Sequence, residues 1–289
     1  MMNRRLAGAF AFIFILLFLV AFRSGADGIA VVSREEGSGA RDSFEQLMKV
    51  NTQAFINEMR TDALIQNGNG IVATTVANNP NAIGYTSFSI FLERKADLTG
   101  LFVDGVAPTK ENMLNGAYNL VRPFNIVYRP ENVGIAEQAF LSFIGSRQGL
   151  EILNEFGTIV DTTLSRNFDS NLWDLPANSV AFGGSTSTEA SALALMEEFR
   201  NYFPHIELTY EAVGSVGGIV GATNGLFSLG FASRDIRESE LEKGLEVKTY
   251  CLDGIVLVVH PDNPLTGLST GQIRDIFLGN VNYWVEVND

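Results

Sequence analysis

The sequence predicts an α/β fold, and three observations carry that reading. Short apolar runs suited to buried strands alternate along the chain with stretches whose apolar residues recur at helical spacing. At residues 33–41, 183–188 and 214–218 a strand-like run passes through glycine and serine or threonine directly into a helical pattern. Hydrophobic residues make up 46% of the 289 positions, enough for one large domain or two modest lobes with a real core.

In chain order, Ile29, Ala30, Val31 and Val32 form a strand, and Phe44, Leu47 and Met48 mark the helix after the glycine loop. Gly68, Asn69 and Gly70 make a turn, residues 71–77 a short helix, and Asn78 to Asn81 a second turn. Residues 82–86 and 98–103 are strands, Pro108 opens a short helix, and residues 125–128 are a strand entered through Arg122, Pro123 and Phe124. Phe140, Phe143, Ile144, Leu150 and Leu153 predict helix over 135–156, weakened by Gly145 and Gly149. Residues 161–178 are polar and aperiodic, a connecting excursion. Strand–glycine–helix units then follow at 180–203 and 207–220. The apolar stretch 227–231 leads into Ala232, Ser233, Arg234 and Asp235, residues 255–259 form a strand, and residues 269–278 a last short helix.

The glycine loops suggest a chemistry. Helix N-termini expose unpaired N–H groups and carry partial positive charge, so they attract anions. Glycine lets the backbone approach a ligand, Ser38 adds a hydroxyl donor, and Arg34 and Arg41 add planar, bidentate donors. Taken alone, residues 33–41 fit an oxyanion cradle or an ordinary capped turn equally well. Three such strand ends in one chain, with Arg34 and Arg234 beside them, favour the cradle, because ligands of α/β sheets sit at the carboxyl ends of strands.

Residues 1–26 stand apart. Asn3, Arg4 and Arg5 precede an apolar run from Leu6 to Phe22, and Ser24, Gly25 and Ala26 supply small residues where a signal peptidase reads. This is the pattern of a signal peptide, with a membrane anchor as the competing reading, and it places the protein outside the cytoplasm. The formal net charge is −13, and removing this basic segment leaves the body more acidic still. Such a body is expected to bind no nucleic acid and no anionic membrane surface. The only cysteine, Cys251, permits no internal disulfide and lies too far from the leader to carry a lipid anchor. His205 and His260 lack partners at metal-ligand spacing, so no metal or other cofactor is expected.

Together, residues 33–39, 184–187, 214–218, 232–234 and 253–255 resemble the phosphate-binding protein of the bacterial phosphate ABC importer. Residues 81–85 and the run 273–279 with Trp284 fit as well, and the likeness covers nearly all of 29–160 and 179–289. The resemblance implies a two-lobed, periplasmic-binding-protein-like α/β fold with two hinge crossings. Its order is exchanged, since the segment that opens the family lies here in the second half. A circularly permuted chain, a trimmed tandem duplication and a truncated gene all account for that order. Mapped so, residues 27–100 plus 265–289 make one lobe. Residues 106–258, containing the 161–178 connection, make the other.

The resemblance further implies inorganic phosphate as ligand and a membrane-embedded ABC permease as partner. Thr186, Ser187 and Ser215 would bind phosphate from one lobe, and Arg34, Ser38 and Gly39 from the other. Glu36 would orient Arg34, with Glu35 solvated. Ala40 stands where the family commonly has threonine. Arg234 stands where some members have aspartate as a proton acceptor, and it would add anion-binding charge, with Asp235 a displaced acceptor. No catalytic residue is expected, because Ser38, Thr186 and Ser215 have no evident paired base. A sensor or a non-transporting remnant on the same scaffold is the alternative, and a phosphatase a more distant one.

Overall fold

The computed structural model describes residues 28–49, 59–160, 162, 163 and 165–288. The expected export segment, residues 1–26, lies outside them. Among the described residues no helix is long and apolar enough to cross a membrane.

The chain opens with β1 (Ala30–Arg34), α1 (Gly39–Met48), β2 (Leu64–Gln66), α2 (Asn69–Ala77), β3 (Ala82–Ser87) and α3 (Phe88–Glu93). Two short strands, β4 (Thr99–Gly100) and β5 (Phe102–Val103), precede α4 (Lys110–Leu114) and β6 (Val121–Tyr128). The predicted helix over 135–156 is two helices, α5 (Ile135–Ile144) and α6 (Arg147–Glu155). They part at Ser146, whose hydroxyl bonds the Phe143 carbonyl and caps α6 by accepting from the Gly149 N–H. Next come β7 (Asn178–Gly184), α7 (Glu189–Tyr202), β8 (Ile206–Ala212), α8 (Gly214–Asn224), β9 (Leu229–Ala232) and α9 (Glu238–Leu241). The long strand β10 (Glu246–Val259), then β11 (Gly267–Leu268) and α10 (Thr270–Leu278) complete the order.

One mixed sheet runs β2-β1-β3-β10-β6-β9-β7-β8, with β4 beside β10. The strands β2, β1 and β3 are parallel, and so are β8, β7 and β9. The antiparallel strands β6 and β10 join these halves. Residues 246–254 of β10 pair with β6, while residues 255–259 pair with β3, so one strand crosses from one half to the other. This crossing is longer than the strand expected at 255–259, because the alternation before Gly254 is interrupted by a bulge between Thr249 and Cys251.

Two main cores lie on either side of the crossing. The first gathers Val31, Val32, Phe44, Ile83, Tyr85, Ile276 and Phe277. The second gathers Phe140, Phe143, Phe182, Phe199, Phe203 and Phe231. The expected division at 106 and 258 needs correction. Met113, Tyr118 and Leu120 pack into the first core, as do Ile255 to Val259. The bodies meet where Arg122 and Asp253 sit opposite each other on β6 and β10. The connection 161–178 is no free linker, since Phe168 and Leu175 are buried in the second core. Phe168 meets Phe143 and Tyr202 edge-on, with each pair of ring centroids 5.3 Å apart. The chain's described ends lie together, the Ile29 N–H donating to the Asn282 carbonyl at 2.7 Å.

Candidate functional site

At the carboxyl end of β1, Tyr85 fixes the backbone that presents Arg34. The Tyr85 ring stacks on Phe44 at 4.1 Å between centroids, and its hydroxyl bonds Ser33 Oγ at 2.9 Å and accepts the Arg34 N–H at 3.3 Å. Burial pushes this phenol up to about 12, so it stays a neutral hydrogen-bonding group. The chain then turns through Gly37, whose φ of 82° only glycine adopts readily, and enters α1 with Ser38 as its N-cap.

Arg34 is 1% exposed and reaches across the cleft. Its Nη2 donates to Thr186 Oγ1 at 3.0 Å, and its Nη1 donates to Asn69 Oδ1 at the start of α2. Its Nε and Nη2 grip Glu35 with two bonds of 2.7 and 2.6 Å. The carboxylate that orients Arg34 is therefore Glu35, a correction to the expected Glu36, which is exposed. Burial works to raise the Glu35 carboxyl, but the hydrogen bonds and charge of Arg34 outweigh it and leave it below the usual range. Asn69 also donates to Ser187 Oγ at 2.9 Å, giving the lobes a second bridge.

Opposite Arg34, three loops of the second lobe bring Ser185, Ser215 and Ser233 together. Ser185 Oγ donates to Ser233 Oγ at 2.8 Å, the Ser233 N–H donates to Ser215 Oγ at 3.0 Å, and the Ser215 and Ser233 hydroxyls are 3.4 Å apart. Gly39 of α1 closes onto this group. A Cβ there would lie 2.2 Å from Ser215 Oγ and 2.5 Å from Ser233 Oγ, so only glycine permits the approach. The N-terminus of α8 meets α1 as well, the Val216 N–H donating to the Gly37 carbonyl at 3.3 Å. Ala40 is buried behind the first turn of α1.

Under the serines lies an ion pair that joins the crossing strands. Arg122 donates from Nε and Nη2 to Asp253 Oδ2 at 3.1 and 2.7 Å, and from Nη1 to both the carbonyl and the hydroxyl of Ser233. Both side chains are 1% exposed, and burial pushes the Asp253 carboxyl up against the opposing pull of Arg122.

Arg234 does not join this group, a second correction. Its Nη atoms bind Glu240 at 2.8 and 2.9 Å and the Asp235 carbonyl, and its Nε lies 2.9 Å from an Asp42 oxygen. A guanidinium so committed to two carboxylates offers little to an anion. Asp235 lines the same outer pocket beside Asp42 and Glu45, away from the serines, and is exposed. The structure brings Arg34 to Thr186, Asn69 to Ser187 and Gly39 to Ser215, with Ser38 capping α1. Sequence reading did not single out Asn69, Arg122, Ser185, Ser233 or Asp253 as site residues. The only signal for Asn69 was its place in a Gly-Asn-Gly turn that opens a helix.

Next to Thr186 and Ser187 opens a cleft of about 370 Å³, lined also by Asn69, Ser87, Phe124 and Glu189. Among the described residues no group of three or more His, Cys, Asp or Glu side chains could hold a metal ion.

Two α/β lobes joined by paired crossing strands, with helix N-termini and arginine facing a cleft between them, define a two-lobed anion-binding protein. A family profile described as "PBP superfamily domain" matches residues 23–148 and 170–288, and the chain belongs to that superfamily. It is 31% identical to "Phosphate-binding protein PstS 2" of Streptococcus pneumoniae over 92% of this chain and 89% of that one. It is 29% identical to the protein of the same name from Streptococcus agalactiae, over 90% and 88%. Among solved structures it is similar to a phosphate ABC transporter's phosphate-binding protein from Streptococcus pneumoniae TIGR4. That match has 30% identity and a TM-score of 0.74, covering 90% of this chain and 99% of the other.

Proposed function

We propose that this chain binds inorganic phosphate in the cleft between its lobes, outside the cytoplasm, and delivers it to a membrane-embedded ABC permease. The observation that carries the reading is the convergence at one point of Arg34, the first turns of α1 and α8, and the Thr186–Ser187 loop. Arg34 supplies fixed charge, Ser38, Thr186, Ser187 and Ser215 supply hydroxyl donors, and Gly39 supplies close backbone. These groups stabilise an oxyanion with little reorganisation. The family supports it, since the relatives named above are called phosphate-binding proteins. Their kind is a substrate-binding protein rather than an enzyme, and we assign no catalytic residue.

Isothermal titration of the purified protein with phosphate, at neutral pH and several temperatures, tests the reading. The expected result is saturable 1:1 binding without turnover. Absence of heat at every temperature would defeat it.

A further inference from the structure

Beside the cradle the fold keeps a second space. The cleft of about 370 Å³ opens next to Thr186 and Ser187, yet at these two residues the lobes are in contact. Arg34 donates to Thr186 at 3.0 Å and Asn69 to Ser187 at 2.9 Å. The cleft is therefore not simply the gap between parted lobes. Its volume lies at the lower end of the range for pockets that hold organic molecules, about 300–1,000 Å³, and is far more than a lone phosphate ion fills.

The walls differ along the cleft. One end shares the Thr186 and Ser187 hydroxyls with the cradle, while Phe124 of β6 and Phe156 at the end of α6 line it with apolar surface. Among the described residues, the charged side chains that line it are two acids, Glu93 at the end of α3 and Glu189 at the start of α7. One comes from each lobe, since Phe88 and Phe91 of α3 pack in the first core and Ala192 and Leu195 of α7 in the second. Neither carboxylate has an ion-pair partner among the described residues. Arg94 reaches Thr74 at the rim at 3.1 Å, but Asp97 holds its guanidinium at 3.0 Å. Two carboxylates repel a bare phosphate and attract a cation. A ligand with an anionic head and a cationic tail uses both ends.

We infer that the cleft is a second compartment of the binding site, and that the chain also takes phosphate monoesters carrying a short ammonium-bearing tail. This rests on the proposed phosphate site and extends its ligand class. A monoester keeps three acceptor oxygens for the cradle and, with a second pKa of about 6, most of the charge of free phosphate. Its bridging oxygen directs the tail past Thr186 and Ser187 into the cleft. The methylenes lie against Phe124 and Phe156, and the ammonium is held by Glu93 and Glu189 from opposite lobes.

The experiment titrates inorganic phosphate, O-phosphorylethanolamine and ethyl phosphate, which lacks the amine, into three proteins by calorimetry. They are the wild type, the double variant Glu93→Gln with Glu189→Gln, and Ala190→Phe, which fills the cleft from an exposed position on α7. The wild type should bind O-phosphorylethanolamine roughly tenfold more tightly than ethyl phosphate, the worth of two partly exposed ion pairs. The double variant should bind the two esters alike, and Ala190→Phe should weaken both by roughly tenfold or more. Inorganic phosphate should bind all three proteins with similar affinity. A wild type that binds inorganic phosphate and neither ester overturns the compartment while leaving the phosphate site standing. Equal affinity of the wild type for the two esters overturns the ammonium-bearing tail. A wild type that binds none of the three overturns the phosphate site and the compartment with it.

Discussion

Arg34 holds more of the site together than any other side chain. Four of its bonds reach Glu35, Asn69 and Thr186, so it ties its own turn, the start of α2 and the opposite lobe into one arrangement. Replacing it by alanine removes a charge-assisted contact from the cradle and leaves the half-exposed Glu35 carboxylate to water. Phosphate affinity should weaken by roughly 1.5–3 kcal/mol, and the melting temperature should fall as the buried partners of the guanidinium lose their bonds. Calorimetry on Arg34→Ala checks this, and an unchanged affinity would reduce the loop to a helix cap. The arginine itself was legible because Gly37, Ser38 and Gly39 follow it at a strand-to-helix junction. Its partner was not. Glu35 and Glu36 are adjacent and chemically alike, and which one returns to the guanidinium depends on the turn at Gly37. Ser233 and Arg122 were hidden for a different reason. Each is ordinary in its own segment, and their contact joins positions 111 residues apart.

At the scale of elements, the segment from β9 to α9 shows how a local rule can mislead. An arginine after a strand end, in a chain with an anion site, suggests a ligand contact. Here Glu240, six residues on, captures it. Glu240 also accepts the Arg237 N–H at 2.9 Å, so one carboxylate both caps α9 and neutralises Arg234. Burial works to raise the Glu240 carboxyl, but Arg234 and the Arg237 N–H outweigh it and hold it below its ordinary value. A carboxylate depressed in the fold stabilises it above the unfolded value, near 4.3, and that stability is lost as pH falls through the folded value. Asp42 has the opposite sign, because burial holds its carboxyl up despite Arg234 and Arg237, so its protonation favours the fold. Glu240 is the smallest of the causes that raise Asp42, so Glu240→Gln relaxes Asp42 slightly as well, a minor effect of opposite sign. The melting temperature of Glu240→Gln should be lower at pH 6 and fall less steeply toward pH 3 than that of wild type. Parallel curves for the two proteins would show that Glu240 is not paired in solution. The periodicity of α1, α7 and α10 was readable because each buries one face on the sheet. The crossing strand β10 was only half readable, since its first half trades clean alternation for a bulge.

Across the whole molecule, the two lobes touch at the cleft mainly through polar groups. Arg34 meets Thr186, Asn69 meets Ser187, Ser43 Oγ donates to the Ser233 carbonyl at 3.3 Å, and Asp42 pairs with Arg234 and Arg237. Such an interface is cheap to open, and β6 and β10 are the covalent connections through which closure would be hinged. The same connectivity bears on where this chain tolerates a change in the order of its halves. The pneumococcal relative matches over 92% of this chain and 89% of its own length, so the two share one order of segments. A rearrangement needs neighbouring ends, and Gly28 forms a β-bridge with Tyr283, five residues before 288. The natural place for new ends is the irregular stretch near 162, which lies between α6 and the buried anchor Phe168. A rearranged chain that begins at 165, runs to 288, passes through a short Gly/Ser linker and continues from 28 to 160 keeps every strand pairing and both hinge strands whole. It should fold cooperatively, melt within a few degrees of the parent and bind phosphate with similar affinity. A soluble but molten product, with far-ultraviolet signal and no cooperative melt, would mean that the present order is needed for the lobes to form.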